Sequence, residues 1–110
     1  MHLNRYQALA ARTINPRNDK IETMMHALHG MVAEVGELHG IYQKHLQGHD
    51  VDFEHMKKEV GDCLWMLAEF CTAFDWTLEE IAQMNIDKLM ARYPNGFEAE
   101  RSLNRKEGDI

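Results

Sequence analysis

Two cysteines, two prolines and no long unbroken apolar run are found in 110 residues, and each scarcity removes a class of protein. Cys63 and Cys71 lie eight apart in what reads as one helix, so about 12 Å of rise separates them, beyond disulfide reach. They are expected as reduced core thiols. The start, Met1-His2-Leu3-Asn4-Arg5-Tyr6, lacks the apolar core of a secretory signal, and no stretch approaches the roughly 18 apolar residues of a membrane span. A cytoplasmic protein with no membrane partner is expected. Basic residues are a minority, 12 Lys and Arg against 18 Asp and Glu for a formal charge of −6, with no basic run longer than Lys57-Lys58. No nucleic-acid partner is expected from that balance. Sustained period-two alternation is missing too, which leaves no place for a strand.

What is there is helical. With 45% hydrophobic and 27% charged residues, the composition fits one globular domain over 1–110, and apolar residues recur at spacings of three and four almost throughout. A short first helix spans Leu3 to Ala11 and stops before Pro16. Asp19 can cap a long second helix whose stripe is Ile21, Met24, Met25, Leu28, Met31, Val32, Val35, Leu38, Tyr42 and Leu46, ending near Gly48. Asp52 can cap a third, carrying Phe53, Met56, Val60, Cys63, Leu64, Leu67, Phe70, Cys71 and Phe74. Thr77 with Glu80 is a capping-box start for a fourth, which runs to Tyr93-Pro94. The polar segment 95–110 is expected to be a tail, ordered only by contact with something else. The predicted architecture is all-α: a four-helix bundle-type protomer with a short first helix, two long antiparallel helices, a fourth helix and a polar tail. The second and third helices are each about 35–40 Å long, and the second has a further small-residue side with Ala27, Gly30, Ala33 and Ile41. Burial on two sides predicts self-association, as a homodimer or homotetramer.

The chemistry lies in an echo, Glu34-Val35-Gly36-Glu37 and Glu59-Val60-Gly61-Asp62. Each places two carboxylates at i and i+3, on one helix face, although like charges so placed repel and an interior glycine costs about 1 kcal/mol relative to alanine. Glu34 and Glu59 border the apolar stripes of their helices, with Asp62 a little further round. A single such pair is ordinarily a solvated face. Two matched pairs on consecutive antiparallel helices, with glycine at the same offset, point instead to a shared cation. Hard oxygen donors without Cys or His select Mg²⁺ or Mn²⁺, and Gly36 and Gly61 would let the helices or a bulky anion come close. A di-iron bundle is excluded because no Glu-x-x-His is present, and His26-x-x-His29 lacks further zinc ligands.

At this point the chain resembles the all-α nucleoside triphosphate pyrophosphohydrolases, and among them the MazG-like group. The E-x-x-E, spacer, E-x-x-D signature is matched by Glu34, Glu37, Glu59 and Asp62. The likeness continues through Tyr6-Gln7, Arg12-Thr13, Asp62-Cys63-Leu64-Trp65, Asn85, Lys88-Leu89 and Arg92-Tyr93-Pro94-Asn95-Gly96-Phe97. It implies hydrolysis of a nucleoside triphosphate between the α and β phosphorus atoms, with Mg²⁺ held by the acid quartet. Glu34 is the choice for general base, the other three chiefly ligands. It also implies that Asn85, Lys88 and Arg92, on one face of the fourth helix, meet the phosphates from the side opposite the metals, with Arg101 and Arg105 following. Lys44 is a weaker phosphate candidate. Trp65, off the main stripe and toward Asp62, is the candidate surface for a base. His26 lies nearly in line with Glu37, within reach of a base or sugar, although a solvated histidine is the commoner reading of such a residue, whereas Tyr42 reads as core and Trp76 and Phe97 as cap and tail packing. The reading of another class is a non-catalytic helical dimerisation module whose acidic cleft attracts a basic partner.

Overall fold

A computed structural model describes residues 1–16 and 19–110, and within them every regular element is a helix: α1 (Leu3–Ala11), α2 (Lys20–Leu46), α3 (Phe53–Ala73), α4 (Leu78–Arg92) and α5 (Ala99–Leu103). Among the described residues the only bridge is an isolated one between Pro94 and Gly96. No described helix is long and apolar enough to cross a membrane.

Local chemistry sets the ends. The Asp19 carboxylate accepts from the Ile21 N–H and that of Asp52 from the His55 N–H, each satisfying a donor that the first helical turn leaves free. At the end of α2, Gly48 adopts φ +101°. There the N–H groups of Gly48 and His49 return to the carbonyls of His45 and Lys44, the paired bonds of a Schellman turn. Asp75 takes the equivalent left-handed place after α3 at φ 56°, with Trp76 N–H donating to the Cys71 carbonyl. At the start of α4 the Leu78 N–H donates to Gln7 Oε1, while Gln7 Nε2 donates to Thr72 Oγ1 and the Trp76 carbonyl. One α1 side chain thereby ties α1, the end of α3 and the first residue of α4.

Helices α2 and α3 pack antiparallel, as expected: His26 meets Glu69, Gly30 meets Met66, and Glu34 meets Glu59 and Asp62. On α2 the expected main stripe is only partly covered, by way of Met24, Met31 and Leu38, and the fully buried residues lie off it. Thr23, Ala27 and Ile41 are buried, whereas Met25, Leu28, Val32, Val35, Tyr42 and Leu46, all assigned to the main stripe, are exposed, Val32 by 75%. Small residues win this face because they let two backbones approach, and a Cβ on Gly30 would run into the Met66 thioether. The glycines of the acidic motifs do not serve that approach within the chain: a Cβ on Gly36 or Gly61 would meet only open space. On α3, Val60 and Leu67 also face outward. Ala10, Ala68, Cys71 and Leu78 form the buried core, with Tyr6, Leu64 and Trp65 packed against it. Neither cysteine is in a disulfide, and Cys71 is buried.

The described residues form two compact units, Met1–Leu78 and Glu79–Ile110. In the second, the segment expected as a polar tail has structure of its own. Gly96 (φ +88°) turns the chain after α4, the Tyr93 and Phe97 rings lie 5.4 Å apart, and α5 follows. Asp109 then returns to Arg92 as a bidentate ion pair, Oδ2 accepting from Nε at 2.9 Å and Oδ1 from Nη2 at 2.7 Å.

Candidate functional site

Antiparallel packing brings the second carboxylate pair beside the first. One oxygen each from Glu34, Glu59 and Asp62 lie within 4.8 Å of one another. Glu34 and Glu59 are partly buried and Asp62 is exposed, so the cluster sits at the lip of the α2–α3 seam. Glu37, three residues beyond Glu34, is exposed and stands outside the cluster, but its charge reaches it. Burial raises the Glu34 carboxyl above its ordinary range, a hydrogen bond with Glu59 adds to this, and the negative charges of Asp62, Glu59 and Glu37 add further. A carboxyl raised by burial and by neighbouring carboxylates marks a site short of positive charge. Three convergent hard oxygens suit a divalent cation, so the residues present fit Mg²⁺ or Mn²⁺.

Two neighbours not anticipated from spacing interact with this cluster. His55, one turn before Glu59, places Nε2 2.8 Å from Glu59 Oε1, and the Glu59 side chain is only 12% exposed. A ring nitrogen there orients the carboxylate, the role of outer partners in metal sites. The i, i+4 spacing alone could have revealed it. Tyr6 of α1 stands close enough to Asp62 that its phenol is pushed up, first by burial and then by that charge. Only its place in the Tyr6-Gln7 pair hinted at it.

Deeper in the same unit, His26 Nδ1 lies 2.6 Å from Oε1 of Glu69, whose side chain is fully buried. The His26 ring meets the edge of Trp65 at 6.4 Å, and Trp65 Nε1 donates to Thr13 Oγ1 at 2.8 Å. Trp65 is thus tied by its indole nitrogen to the turn after α1, while His26 remains 44% exposed. Glu69 was not singled out by the sequence. Lys44 is exposed, and so is Tyr42, which was expected in the core and instead lies against the His45 ring. Trp76 stacks on Phe74 at 5.0 Å.

In the second unit, Asn85 and Lys88 are exposed on α4. Arg92 is not: its side chain is 9% exposed, and its partner Asp109 is 16% exposed. The Arg92 hydrogen bonds hold the Asp109 carboxyl below its usual range, aided by the charges of Arg92, Arg105 and Lys88. Around this pair is a cavity of about 270 Å³ lined by Lys88, Arg92, Arg101, Arg105, Lys106 and Asp109 among others.

Comparison with known proteins places these features in context. A family model described as the MazG nucleotide pyrophosphohydrolase domain matches residues 20–97, a span that includes all four motif acids and Lys88 to Phe97. The gene 37 protein of Mycobacterium phage L5 is 30% identical over 105 residues, covering 87% of this chain and 92% of that protein. No solved structure matches.

Proposed function

The chain belongs to the MazG nucleotide pyrophosphohydrolase family, and from that premise we propose that it hydrolyses a nucleoside triphosphate between the α and β phosphates, yielding a nucleoside monophosphate and pyrophosphate. The observation that carries this reading is the convergence of Glu34, Glu59 and Asp62 within 4.8 Å, at the family's own motif. Glu34, Glu59 and Asp62 would hold the cation, with Glu37 one turn away. A divalent cation bound there, Mg²⁺ or Mn²⁺, supplies neutralisation of the phosphate charge and acidifies the attacking water.

The chain's own residues do the rest. Glu34 is the general base: burial, its hydrogen bond with Glu59 and the surrounding acids raise its carboxyl above the ordinary value and so favour proton uptake. His55 fixes the Glu59 carboxylate. Lys88 and Arg92 hold phosphate oxygens, Arg92 through the planar fork that suits two oxygens at once, with Asn85 and Lys44 as further polar contacts. Trp65 offers an aromatic surface to the base. The uncovered apolar stripe of α2 supports self-association through a second copy, as a homodimer or homotetramer.

A panel of ribo- and deoxynucleoside triphosphates incubated with Mg²⁺ tests the reaction. Monophosphate and pyrophosphate should appear together, with turnover lost in excess chelator. Orthophosphate as the primary product refutes the regiochemistry, and turnover that survives chelation refutes the metal. Absence of any turnover favours the dimerisation module.

A further inference from the structure

The chain carries a formal charge of −6, yet the cavity in its second unit has the opposite sign. Five cations, Lys88, Arg92, Arg101, Arg105 and Lys106, line it together with one carboxylate, Asp109. Cations so gathered repel one another, and Asp109 together with Glu98, 3.6 Å from Arg101, still leaves most of their charge unbalanced. That carboxylate engages Arg92 through two parallel hydrogen bonds, the geometry by which a guanidinium grips phosphate. Asp109 is delivered by a tight turn, its N–H donating to the Lys106 carbonyl with Gly108 at φ +86°. The turn lies beyond α5, so withdrawing Asp109 unwinds no helix.

We propose that Asp109 is the resident occupant of a polyphosphate pocket: its carboxylate closes the Arg92 fork while the pocket is empty of ligand, and a polyphosphate anion binds by displacing it. A polyphosphate brings several negative charges to five cations where Asp109 brings one, so the exchange favours the ligand. The choice of polyphosphate rests on the reaction proposed above; the displaceable carboxylate rests on the ion pair alone. Occupancy of Arg92 by Asp109 would then restrain substrate binding and set a threshold concentration for it.

The test uses the full chain without nucleotide and with divalent metal chelated, so that it is independent of turnover. Tripolyphosphate is titrated calorimetrically into the parent chain and into Asp109→Asn, which keeps the shape and removes the competing charge. Binding about tenfold tighter or more in Asp109→Asn is expected, from the loss of a charge-assisted competitor. Equal or weaker binding in a folded Asp109→Asn, or no binding to either chain, overturns the proposal. In the parent chain the Arg92 Nε–H resonance should move on saturation with tripolyphosphate. A resonance that stays fixed overturns the proposal even if the variant fails to fold. Displacement without nucleotide hydrolysis would leave this inference standing and the reaction refuted; hydrolysis without displacement would do the reverse.

Discussion

Gly30, Gly36 and Gly61 all lie inside helices, where alanine is normally preferred, but their surroundings differ in sign. Exchange of glycine for alanine inside a helix gains about 0.5–1 kcal/mol, because the unfolded chain has fewer conformations to lose. At Gly36 and Gly61 the new methyl meets open space, so that gain should appear whole, as a rise of about 2–6 °C in Tm for Gly36→Ala or Gly61→Ala. At Gly30 the methyl runs into the Met66 thioether, and forcing a packed neighbour aside costs about 1–3 kcal/mol. The net for Gly30→Ala is then between about 0 and 2.5 kcal/mol of destabilisation. Met66→Ala removes the colliding atoms, so in that background Gly30→Ala should turn favourable. Thermal unfolding followed by circular dichroism in chelator measures all of these. A fall in Tm for Gly36→Ala or Gly61→Ala, or a gain at Gly30 equal to theirs, refutes the packing account. Turnover adds a second reading: if Gly61→Ala raises Tm while losing activity, the space beside the acids serves a ligand.

Glu59→Gln or Asp62→Asn should lower Mg²⁺-dependent turnover by about 100-fold or more with far-UV helicity unchanged, and retained activity removes that residue from the site. The raised Glu34 carboxyl predicts a pH effect on stability. Its folded pKa lies above the ordinary value near 4.5, so its contribution is fully present below that value and is lost as pH rises through the folded pKa. In chelator, Tm should therefore gain on mild acidification, and Glu34→Gln or saturating Mg²⁺ should flatten that dependence; an unaltered slope in Glu34→Gln counts against it. Val32, 75% exposed on the outer face of α2, should tolerate Val32→Asp with helicity kept while sedimentation shifts to the mass of one chain. An unchanged sedimenting mass dissociates this stripe from assembly.

What could be foreseen from the sequence was what neighbours along the chain decide. Asp19, Asp52 and Gly48 act on backbone groups a few residues away, so their roles were visible in order alone. The exposure of the large apolar residues of α2 was not, because apolar size does not by itself mark the side on which two helices approach. Helix approach instead selected Ala27 and Gly30, leaving Val32 and Tyr42 outside. Glu69 hid for a related reason: its partner His26 is 43 residues away, and no local pattern announces a carboxylate accepted into a seam. Of the acid quartet, spacing placed each pair on one face but could not say which members converge across helices. The structure joins Glu34 to Glu59 and Asp62 and leaves Glu37 exposed, outside that cluster. Arg92 likewise read as a helix-end cation or phosphate ligand until Asp109, 17 residues on, supplied its partner.

The small-residue seam has a consequence for ion choice. Ala27 and Gly30 lie within two turns of Glu34 and set how near α2 stands to α3, so they fix the gauge across which Glu34 faces Glu59 and Asp62. Mg²⁺ requires oxygens at about 2.0–2.1 Å, whereas Ca²⁺ accepts about 2.3–2.6 Å. Widening that gauge by a fraction of an ångström, through a bulkier residue at 27 or 30, would loosen the jaw and tilt it toward the larger ion. Discrimination between the two cations at such a site would then rest with side chains that touch neither one.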